Sequence, residues 1–534
     1  MKSKRLTLSV LFVVAAVANA LACTNLIVGK NASADGSTIV SYSADSYGLF
    51  GELYHYPAGM HKKGTLIDIH EWDTGKYLGQ IAQARQTYNV IGNMNEFQLT
   101  IGETTFGGRP ELVDTTGIID YGSLIYLGLQ RSRTAREAIK VMTELVQEYG
   151  YYSGGESFTI ADPNEIWIME MIGKGPGVRG AVWVAVRVPD DCISAHANQS
   201  RIHQFNMNDK ENCMYSPDVI SFAREKGYFD GVNKDFSFAN AYAPLDFGAR
   251  RYCEARVWSY FNMFTDRGNE FLPYILGETN TPMPLFVKPN RKVSVQDVKN
   301  AMRDHYEGTP LDISKDFGAG PYHTPYRLSP LSFKVGDREY FNERPISTQQ
   351  SGFVFVAQMR SELPDPIGGV LWFGTDDANM TVFTPVYCCT DKVPVCYTRV
   401  DGADYITFSW NSAFWIFNWV ANMVYPRYDL MMGDVRATQT ELETTFNEAQ
   451  EGVEAAAAKL LEKDPAKAKA FLTNYTNMTA QSTFDTWKRL GEFLVVKYND
   501  GVVKRMKNGQ FERNSIGQPA GVIRPGYPKE FLEE

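Results

Sequence analysis

Cys23 is the residue whose position says most about the chemistry of this chain. The segment before it has the three parts of a secretory signal peptide: a basic start at Met1–Arg5, an apolar run at Leu6–Val17, and the small-x-small cleavage pattern Ala20-Leu21-Ala22. Cleavage at that pattern would leave a chain that begins with Cys23. We therefore predict a signal peptide over residues 1–22 and an exported protein, either periplasmic or secreted.

An N-terminal cysteine carries a thiol and a free α-amine on one residue. The ordinary pKa values of these groups lie near 8.5 and 8, so the amine can take the thiol proton and later return it to a leaving group. This is a known variant of the nucleophile–base arrangement. The pattern predicts that Cys23 is a catalytic nucleophile; the alternative at this position is a structural cysteine.

A bacterial lipoprotein is a competing interpretation of the same segment. Acylation of Cys23 would block both the thiol and the amine, so the two interpretations exclude each other. Lipoprotein signals usually have a Leu-like residue where this chain has Ala20 and a small residue where it has Leu21. The sequence therefore favours ordinary cleavage over a non-enzymatic lipoprotein.

Composition excludes several classes of partner. The chain has 534 residues and a formal net charge of −9, and the signal segment carries three of its basic residues. An acidic protein of this kind is not expected to bind nucleic acid or anionic membranes. The apolar run at Leu6–Val17 is shorter than the roughly 20 residues of a membrane-spanning helix, and no other run is longer, so no membrane span is predicted. The seven cysteines are an odd count, which fits one thiol kept free among others that could pair after export.

Strand and helix patterns alternate in blocks along the chain. Thr24–Val28 and Ser37–Ser43 flank the turn residues Ala34-Asp35-Gly36 and predict a hairpin that holds the nucleophile. Tyr121–Tyr149 has helical periodicity. Further β-like runs are Ile166–Ile172, Ala181–Val188, Gly352–Gln358, Gly369–Phe373 and Met380–Tyr387. Two amphipathic helices, separated by Asp464-Pro465, are predicted at Thr440–Leu461 and Ala466–Leu490. This order indicates an α+β fold rather than a parallel βαβ fold.

Several separated motifs resemble one family in the right order. Cys23–Gly29 and Asp35–Thr38 are similar to the start of the N-terminal-nucleophile cysteine dipeptidases of the dipeptidase A type, relatives of choloylglycine hydrolase and penicillin V acylase. The other matching segments are Gly92–Glu96, Ile101–Thr105, His196–Arg201, Met302–Pro310, Ala319–Tyr322, Val370–Gly374 and Phe408–Ser412.

The resemblance implies a fold and an activity. The expected fold is the four-layer αββα sandwich of N-terminal-nucleophile hydrolases over residues 23–425, followed by a helical extension at 426–490 and a C-terminal segment at 491–534. The expected activity is that of a cysteine-type dipeptidase acting on dipeptides or short peptides. The alternative within the same fold is an N-acyl amide hydrolase of the bile-salt or penicillin acylase type. The preferred dipeptide, the disulfide pairing and the oligomeric state stay open.

The resemblance also assigns site residues. Cys23 matches the nucleophile, Asp45 the acid that orients the N-terminal amine, and Asn198 the side-chain donor of the oxyanion hole. Arg251 resembles the active-site arginine of the superfamily, although the adjacent Arg250 leaves the register open.

Two further residues are candidates for substrate binding. Thr104 stands where the acylases have a second Asn. Arg201 could hold a substrate carboxylate through its bidentate fork or form a salt bridge at a strand end, and the sequence favours neither role over the other.

One position departs from the family pattern. The family usually has an Arg three residues before the Asp that Asp45 matches, whereas this chain has Tyr42. A positive charge near Cys23 would lower the thiol pKa. Without it, activation must come from another group, such as Arg251, or the catalyst is impaired.

No cofactor and no metal are predicted. The spacing of Gly175, Gly177 and Gly180 matches a dinucleotide fingerprint, but a β-like run rather than a helix follows it, so we interpret it as a loop between strands. Asp376-Asp377 is expected to be a solvated turn rather than a metal site. His196 is expected to be a hydrogen-bonded core residue.

Overall fold

The computed structural model describes residues 23–533, so the predicted signal peptide lies outside the described residues. The helices of this part of the chain are α1 Tyr121–Arg131, α2 Ala135–Tyr149, α3 Val219–Glu225, α4 Phe238–Tyr242, α5 Ala255–Phe264, α6 Gly268–Ile275, α7 Val295–Ala301, α8 Asp365–Gly368, α9 Ala413–Val424, α10 Tyr428–Leu461, α11 Pro465–Tyr498 and α12 Lys529–Glu533.

The strands lie mostly in two large sheets. In chain order they are β1 Asn25–Val28, β2 Thr38–Asp45, β3 His55–Tyr56, β4 Gly59–Met60, β5 Leu66–His70, β6 Tyr77–Ala82, β7 Gln86–Thr87, β8 Val90–Ile91, β9 Met94–Asn95, β10 Thr100–Gly107, β11 Gly155–Ala161, β12 Ile166–Gly173, β13 Ala181–Arg187, β14 Ile193–His196, β15 Cys213–Tyr215, β16 Ser332–Val335, β17 Arg338–Phe341, β18 Ser351–Met359, β19 Val370–Thr375, β20 Thr384–Tyr387, β21 Val503–Lys504, β22 Met506–Lys507, β23 Gln510–Phe511 and β24 Val522–Ile523.

Both large sheets are antiparallel. One has the order β14-β1-β2-β18-β19-β20, and the other has the order β15-β13-β12-β11-β10-β9-β8-β3. The predicted hairpin is present: β1 pairs with β2, and Asp35 accepts hydrogen bonds from the backbone and hydroxyl of Ser37 at 3.1 and 2.6 Å in the turn. The α+β class predicted from the sequence is confirmed.

Strand β12 shows why the eight-stranded sheet is buried on both faces. Its residues Trp167, Met169 and Met171 belong to the apolar core that includes helices α1 and α2. Ile166 and Ile168, which alternate with these residues along the strand, belong to the core shared with the six-stranded sheet. Alternate side chains of a strand point to opposite faces, so the eight-stranded sheet lies between a pair of helices and the other sheet.

Helices α5, α7, α9 and α11 contact strands of the six-stranded sheet. The Phe417 ring of α9 and the Trp487 ring of α11 stack with their centroids 4.8 Å apart. The long helix α10 is tied to the body by ion pairs from Arg303 to Glu443 at 2.5 Å and from Arg360 to Glu454 at 2.6 Å. The two C-terminal helices are therefore packed onto the sheets.

Several predicted elements differ in detail. The helical pattern at Tyr121–Tyr149 forms two helices, because the side chains of Asp120 and Thr134 each accept a hydrogen bond from a backbone N–H in the first turn of a helix. The expectation that Asp376 and Asp377 form a solvated turn is wrong: both are buried, and Asp377 accepts hydrogen bonds from Tyr425 and from the backbone of Asn379.

All seven cysteines are unbridged in residues 23–533. Among the helices of that range, none combines the length and apolar character needed to cross a bilayer.

Gly102 on β10 permits the close approach of the two sheets beside Cys23. A Cβ atom at this position would lie 2.4 Å from Asn25 Oδ1 and 3.5 Å from Tyr42 Cβ. Asn25 has no room to yield, since it is fully buried and its amide donates to the Glu103 carbonyl at 2.7 Å.

We therefore expect Gly102→Ala to lower the free energy of unfolding by about 1–3 kcal/mol through overpacking, as measured by urea denaturation. The matched control is Gly433→Ala in α10, where a Cβ meets nothing within 4 Å. That change should be neutral or stabilising by up to about 1 kcal/mol. Equal stability of the two variants would contradict the proposed close approach.

Candidate active site

Cys23 lies directly before β1, and its side chain is only 3% exposed. Its sulfur lies 3.4 Å from Glu103 Oε1 and 3.7 Å from the Tyr42 hydroxyl. The backbone N–H of Asp45 also hydrogen bonds to the sulfur. The thiol is thus surrounded by one carboxylate, one phenol and one backbone donor.

These surroundings disfavour a preformed thiolate. Burial, reinforced by the negative charges of Glu103 and Asp45, raises the pKa of the Cys23 thiol well above its ordinary value. The hydrogen bonds that Asp45 and Tyr42 would donate to a thiolate act in the opposite direction but do not reverse the shift. A nucleophile at this position therefore needs a base that removes its proton during attack.

Arg256, on α5, connects Cys23 to the turn that carries Asn198. Its Nη1 donates to the Cys23 carbonyl at 2.7 Å and to Thr24 Oγ1 at 2.8 Å. Its Nη2 donates to the Ala197 carbonyl at 3.2 Å and to Asn198 Oδ1 at 2.9 Å. Burial lowers the pKa of Arg256 to about 10, with a smaller effect from the positive charge of Arg344, so the guanidinium stays charged at neutral pH.

Asn198 is held with a defined amide orientation. Its backbone has a φ of 59°, a left-handed conformation that Asn tolerates better than most residues. Because Oδ1 accepts from Arg256, Nδ2 is the donor end, and it donates to the Thr105 carbonyl at 2.8 Å. The structure therefore brings Asn198 to the same guanidinium that contacts Cys23.

Glu170 on β12 anchors the turn after Asn198. It accepts hydrogen bonds from Ser200 Oγ at 2.5 Å and from the backbone N–H groups of Arg201 and Ile202 at 2.5 and 3.1 Å. Burial raises the pKa of Glu170 to about 7, partly opposed by these hydrogen bonds. The turn is thus positioned from both sides, by Arg256 and by Glu170.

Asp45, at the end of β2, forms a buried ion pair. Arg344 Nη2 lies 2.5 Å from Asp45 Oδ2, which also accepts from Ser43 Oγ at 3.0 Å. The other carboxylate oxygen accepts from Ser351 Oγ at 2.5 Å. The backbone of Asp45 therefore lies beside Cys23, while its carboxylate is oriented by Arg344, which the sequence did not point to.

The two arginines predicted from sequence have other partners. Arg251 lies in a π-helical segment and is ion-paired with Glu343. Arg201 is buried, with Nε 2.9 Å from Glu254 Oε1 and its terminal nitrogens donating to the carbonyls of Ala195 and Pro284. The structure thus shows the salt bridge that was one alternative for Arg201, while a substrate-binding role for Arg201 and a catalytic role for Arg251 stay predictions.

Thr104 and His196 form a buried chain of hydrogen bonds. Thr104 Oγ1 lies 2.7 Å from His196 Nδ1, and Thr159 Oγ1 lies 2.6 Å from His196 Nε2. The expectation of a hydrogen-bonded core histidine is confirmed. A substrate-binding role for Thr104 stays a prediction, since its hydroxyl is engaged by the ring.

An aromatic cleft adjoins the thiol. It is lined by Tyr42, Tyr54, Tyr56, Trp72, Gly92, Asn93, Tyr121, Gly122, Ile125, Tyr126 and Phe353. Tyr42 is shared between this cleft and the surroundings of Cys23, so the cleft lies next to the sulfur's environment. Within residues 23–533, no cluster of His, Cys, Asp and Glu is suited to hold a metal ion.

Comparison with known families agrees with this site. The sequence pattern of Peptidase family C69 matches residues 22–55 and 50–441, and the chain belongs to this family. The resemblance to cysteine dipeptidases drawn from the sequence is therefore confirmed, and the protein is a peptidase.

Individual relatives cover most of the chain. A probable dipeptidase of Salmonella dublin is 30% identical over 69% of this chain and 81% of its own length. A probable dipeptidase of Latilactobacillus sakei is 26% identical over 85% of this chain and 90% of its own length. Dipeptidase A of Lactobacillus helveticus is 24% identical over 74% and 80% of the two chains.

Sequence reasoning missed Arg256, Arg344 and Glu103. Glu103 lies inside one of the family-like segments, beside the Thr104 that was selected instead. Arg256 is five positions after the arginine that was chosen, and no local signal separates the two. A signal that could have identified these residues would be charged residues within otherwise apolar segments, since buried charges need partners.

Arg256→Lys should lower kcat/KM for peptide hydrolysis by about tenfold or more, because a lysine cannot reproduce the forked contacts to Cys23 and Asn198. The measurement is steady-state kinetics, with circular dichroism to verify folding. Arg267→Lys is the matched control, since Arg267 forms an exposed pair with Glu270. Equal activity of the two variants would contradict the role of Arg256 in holding Cys23 and Asn198.

Because His196 is buried, we expect the stability of the fold to fall in acid. Burial, with a smaller effect from the charge of Arg201, lowers the pKa of His196 to about 3. The unfolded chain, with a histidine pKa near 6.5, binds more protons between these values, so stability falls as the pH falls from 6.5 toward 3. Between pH 7 and 5 this loss amounts to about 2 kcal/mol.

His196→Gln removes the titration and keeps a donor and an acceptor. Urea denaturation at pH 7 and 5 should therefore show a loss of stability on acidification that is about 2 kcal/mol smaller in the variant. An unchanged acid sensitivity would show that this histidine is not held neutral by the fold.

Proposed function

We propose that this protein is an exported cysteine-type dipeptidase that uses Cys23 as an N-terminal nucleophile. In this proposal, cleavage after Ala22 removes the signal peptide, delivers the protein to the periplasm or medium, and frees the α-amine of Cys23. The substrate is a dipeptide or short peptide, which fits the names of the C69 relatives. The stacking of two helices, two sheets and further helices is interpreted as the αββα sandwich of N-terminal-nucleophile hydrolases.

The observation that carries the proposal is the convergence of Cys23 and Asn198 on one guanidinium. Arg256 contacts the Cys23 carbonyl at 2.7 Å and Asn198 Oδ1 at 2.9 Å, although the three residues come from distant parts of the chain. A nucleophile and an amide donor held in a fixed relation are what acyl transfer requires. The match to Peptidase family C69 supports the same reaction class.

The raised thiol pKa favours a base that acts within the reacting residue. The freed α-amine takes the Cys23 proton while the sulfur forms a bond to the scissile carbonyl carbon. One N–H of Asn198 Nδ2 donates to the Thr105 carbonyl, and the other donates to the oxyanion and stabilises it. The amine then passes the proton to the leaving amino group as the C–N bond breaks, and water hydrolyses the thioester.

The ion pair between Asp45 and Arg344 has a positioning role. It holds the end of β2, whose Asp45 N–H contacts the sulfur, although the Asp45 carboxylate still contributes to the raised pKa of the thiol. With Tyr42 in place of the family arginine, activation of the thiol therefore depends on the α-amine.

A single added residue tests the N-terminal mechanism. A chain prepared to begin at Cys23 should hydrolyse dipeptides, whereas the same chain with one alanine before Cys23 should lose activity by about 100-fold or more, because the base becomes an amide. Cys23→Ala should be inactive. Equal activity with and without the added alanine would overturn the role of the α-amine.

Mass spectrometry of the protein purified from its natural compartment tests the processing. We expect a chain beginning with unmodified Cys23. A diacylglyceryl adduct on Cys23 would overturn the enzyme proposal in favour of a lipoprotein. Faster hydrolysis of acyl-glycines than of unblocked dipeptides would favour the N-acyl amide hydrolase.

A further inference from the structure

Two buried carboxyl groups lie behind the nucleophile. Glu103 on β10 and Glu156 on the neighbouring strand β11 are 1% and 0% exposed. Glu156 Oε2 accepts a hydrogen bond from Thr105 Oγ1 at 2.9 Å. Apart from the hydrogen bond between the two carboxyl groups, Glu103 Oε2 and Glu156 Oε1 have no donor among the described residues.

The pair carries one negative charge. Burial, followed by the charge of Glu103 and a hydrogen bond between the two side chains, raises the pKa of Glu156 well above its ordinary value. Of the two, Glu156 is therefore the group whose surroundings disfavour ionisation more strongly. Burial also raises the pKa of Glu103, but Glu103 accepts hydrogen bonds from Glu156, Tyr42 and Cys23, which identify it as the charged member.

The charge of Glu103 has no cationic partner in the described part of the chain. None of the ion pairs in residues 23–533 includes Glu103, Glu156 or Asp73. Asp73, whose carboxylate accepts from the Tyr121 hydroxyl at 3.0 Å, adds negative charge at the aromatic cleft. The pKa of Asp73 is raised to about 6 by burial, with a contribution from the charge of Glu103.

Tyr42 preserves this negative character. The sequence resemblance expects an arginine at this position, and a guanidinium there would neutralise Glu103. The phenol instead donates a hydrogen bond to Glu103 Oε1 and carries no charge. The site therefore differs in electrostatic sign from one built to receive an uncharged acyl group.

We propose that Glu103 binds the α-ammonium group of the substrate, so that the enzyme requires a free N-terminus on the residue whose carbonyl Cys23 attacks. This inference rests on the proposed function and specifies its substrate class. It assigns Glu103 to specificity rather than to proton transfer from Cys23.

The distances fit this assignment. In any amino acid residue, the amino nitrogen lies roughly 2.5 Å from the carbonyl carbon across two bonds. The attacked carbon must lie about 3–3.5 Å from the sulfur. Glu103 Oε1 lies 3.4 Å from that sulfur, so an ammonium in hydrogen-bond contact with the carboxylate places the carbonyl carbon within reach of Cys23.

The ammonium also resolves an electrostatic conflict. Once the thiol proton moves to the α-amine, a thiolate and a carboxylate face each other across 3.4 Å. A substrate cation that takes the place of the thiol proton on Glu103 offsets this repulsion. Substrates without a charge at this position do not provide that compensation.

The test uses two substrates that differ only in the ammonium group: Ala-Phe and N-propionyl-phenylalanine. The parent enzyme should favour Ala-Phe in kcat/KM by about 100-fold or more, because a site built for a polar group rejects the analogue that lacks it. Glu103→Gln should reduce this preference to below about tenfold, mainly through a higher KM for Ala-Phe. Glu103→Asp, which keeps the charge, should retain more of the preference than Glu103→Gln.

Glu278→Gln is the matched control, since Glu278 is exposed and the substitution is the same. This control should keep the parent preference. Equal loss of activity toward both substrates in Glu103→Gln would overturn the proposal and identify Glu103 as a general base for Cys23. A parent enzyme without preference for the free amine would also overturn it.

A second measurement reads the charge of the site without catalysis. Methanethiosulfonate reagents with an ethyl-trimethylammonium or an ethylsulfonate group are allowed to react with Cys23, and the modified peptide is quantified by mass spectrometry. The cationic reagent should react about tenfold faster in the parent, and Glu103→Gln should reduce this ratio. If the ratio behaves so but no peptide is cleaved, the dipeptidase proposal fails while the cation subsite stands; equal rates in the parent overturn the subsite itself.

Discussion

The buried guanidinium of Arg256 is the interaction on which the geometry of the site depends. It joins the carbonyl of Cys23 at 2.7 Å to the side chain of Asn198 at 2.9 Å, across the gap between the first strand and the turn after β14. A charged group without solvent must satisfy its donors within the protein, and Arg256 does so with groups at the adjoining ends of the paired strands β1 and β14. The same contacts that make its burial tolerable therefore hold Cys23 and Asn198 in a fixed relation.

Charge is distributed unevenly around the thiol. On one side, Arg256 and Arg344 supply cations, and Arg344 is matched by Asp45 at 2.5 Å. On the other side, the buried carboxyl groups of Glu103 and Glu156 are hydrogen-bonded to each other, and Glu103 Oε1 lies 3.4 Å from the sulfur. Burial strengthens the effect of these charges, because they are screened less within the protein than they would be in water. It makes the resting thiol neutral and the site attractive to a cation.

The comparison of sequence with structure separates local patterns from long-range contacts. The hairpin of β1 and β2 and the C-terminal helices were predictable, because turn residues and apolar periodicity act within a few residues of the chain. The sequence led to Arg251 and not to Arg256, which contacts Cys23 and Asn198, since Arg256 is distinguished only by the direction in which α5 presents it. Asp376 and Asp377 read as a solvated turn, yet long-range partners such as Tyr425 make their burial possible.

The sequence by itself determined the class of the fold and the family, because periodicity and ordered motifs are local properties of the chain. It also predicted Cys23 as the nucleophile, from its place after a segment that resembles a signal peptide. Only the tertiary structure decided which charged residues surround that cysteine. Glu103, Arg256 and Arg344 are 80, 233 and 321 positions away from Cys23 along the chain. Contacts over such separations arise when two sheets and their helices close on a common core, and no local pattern encodes which side chains that closure brings together.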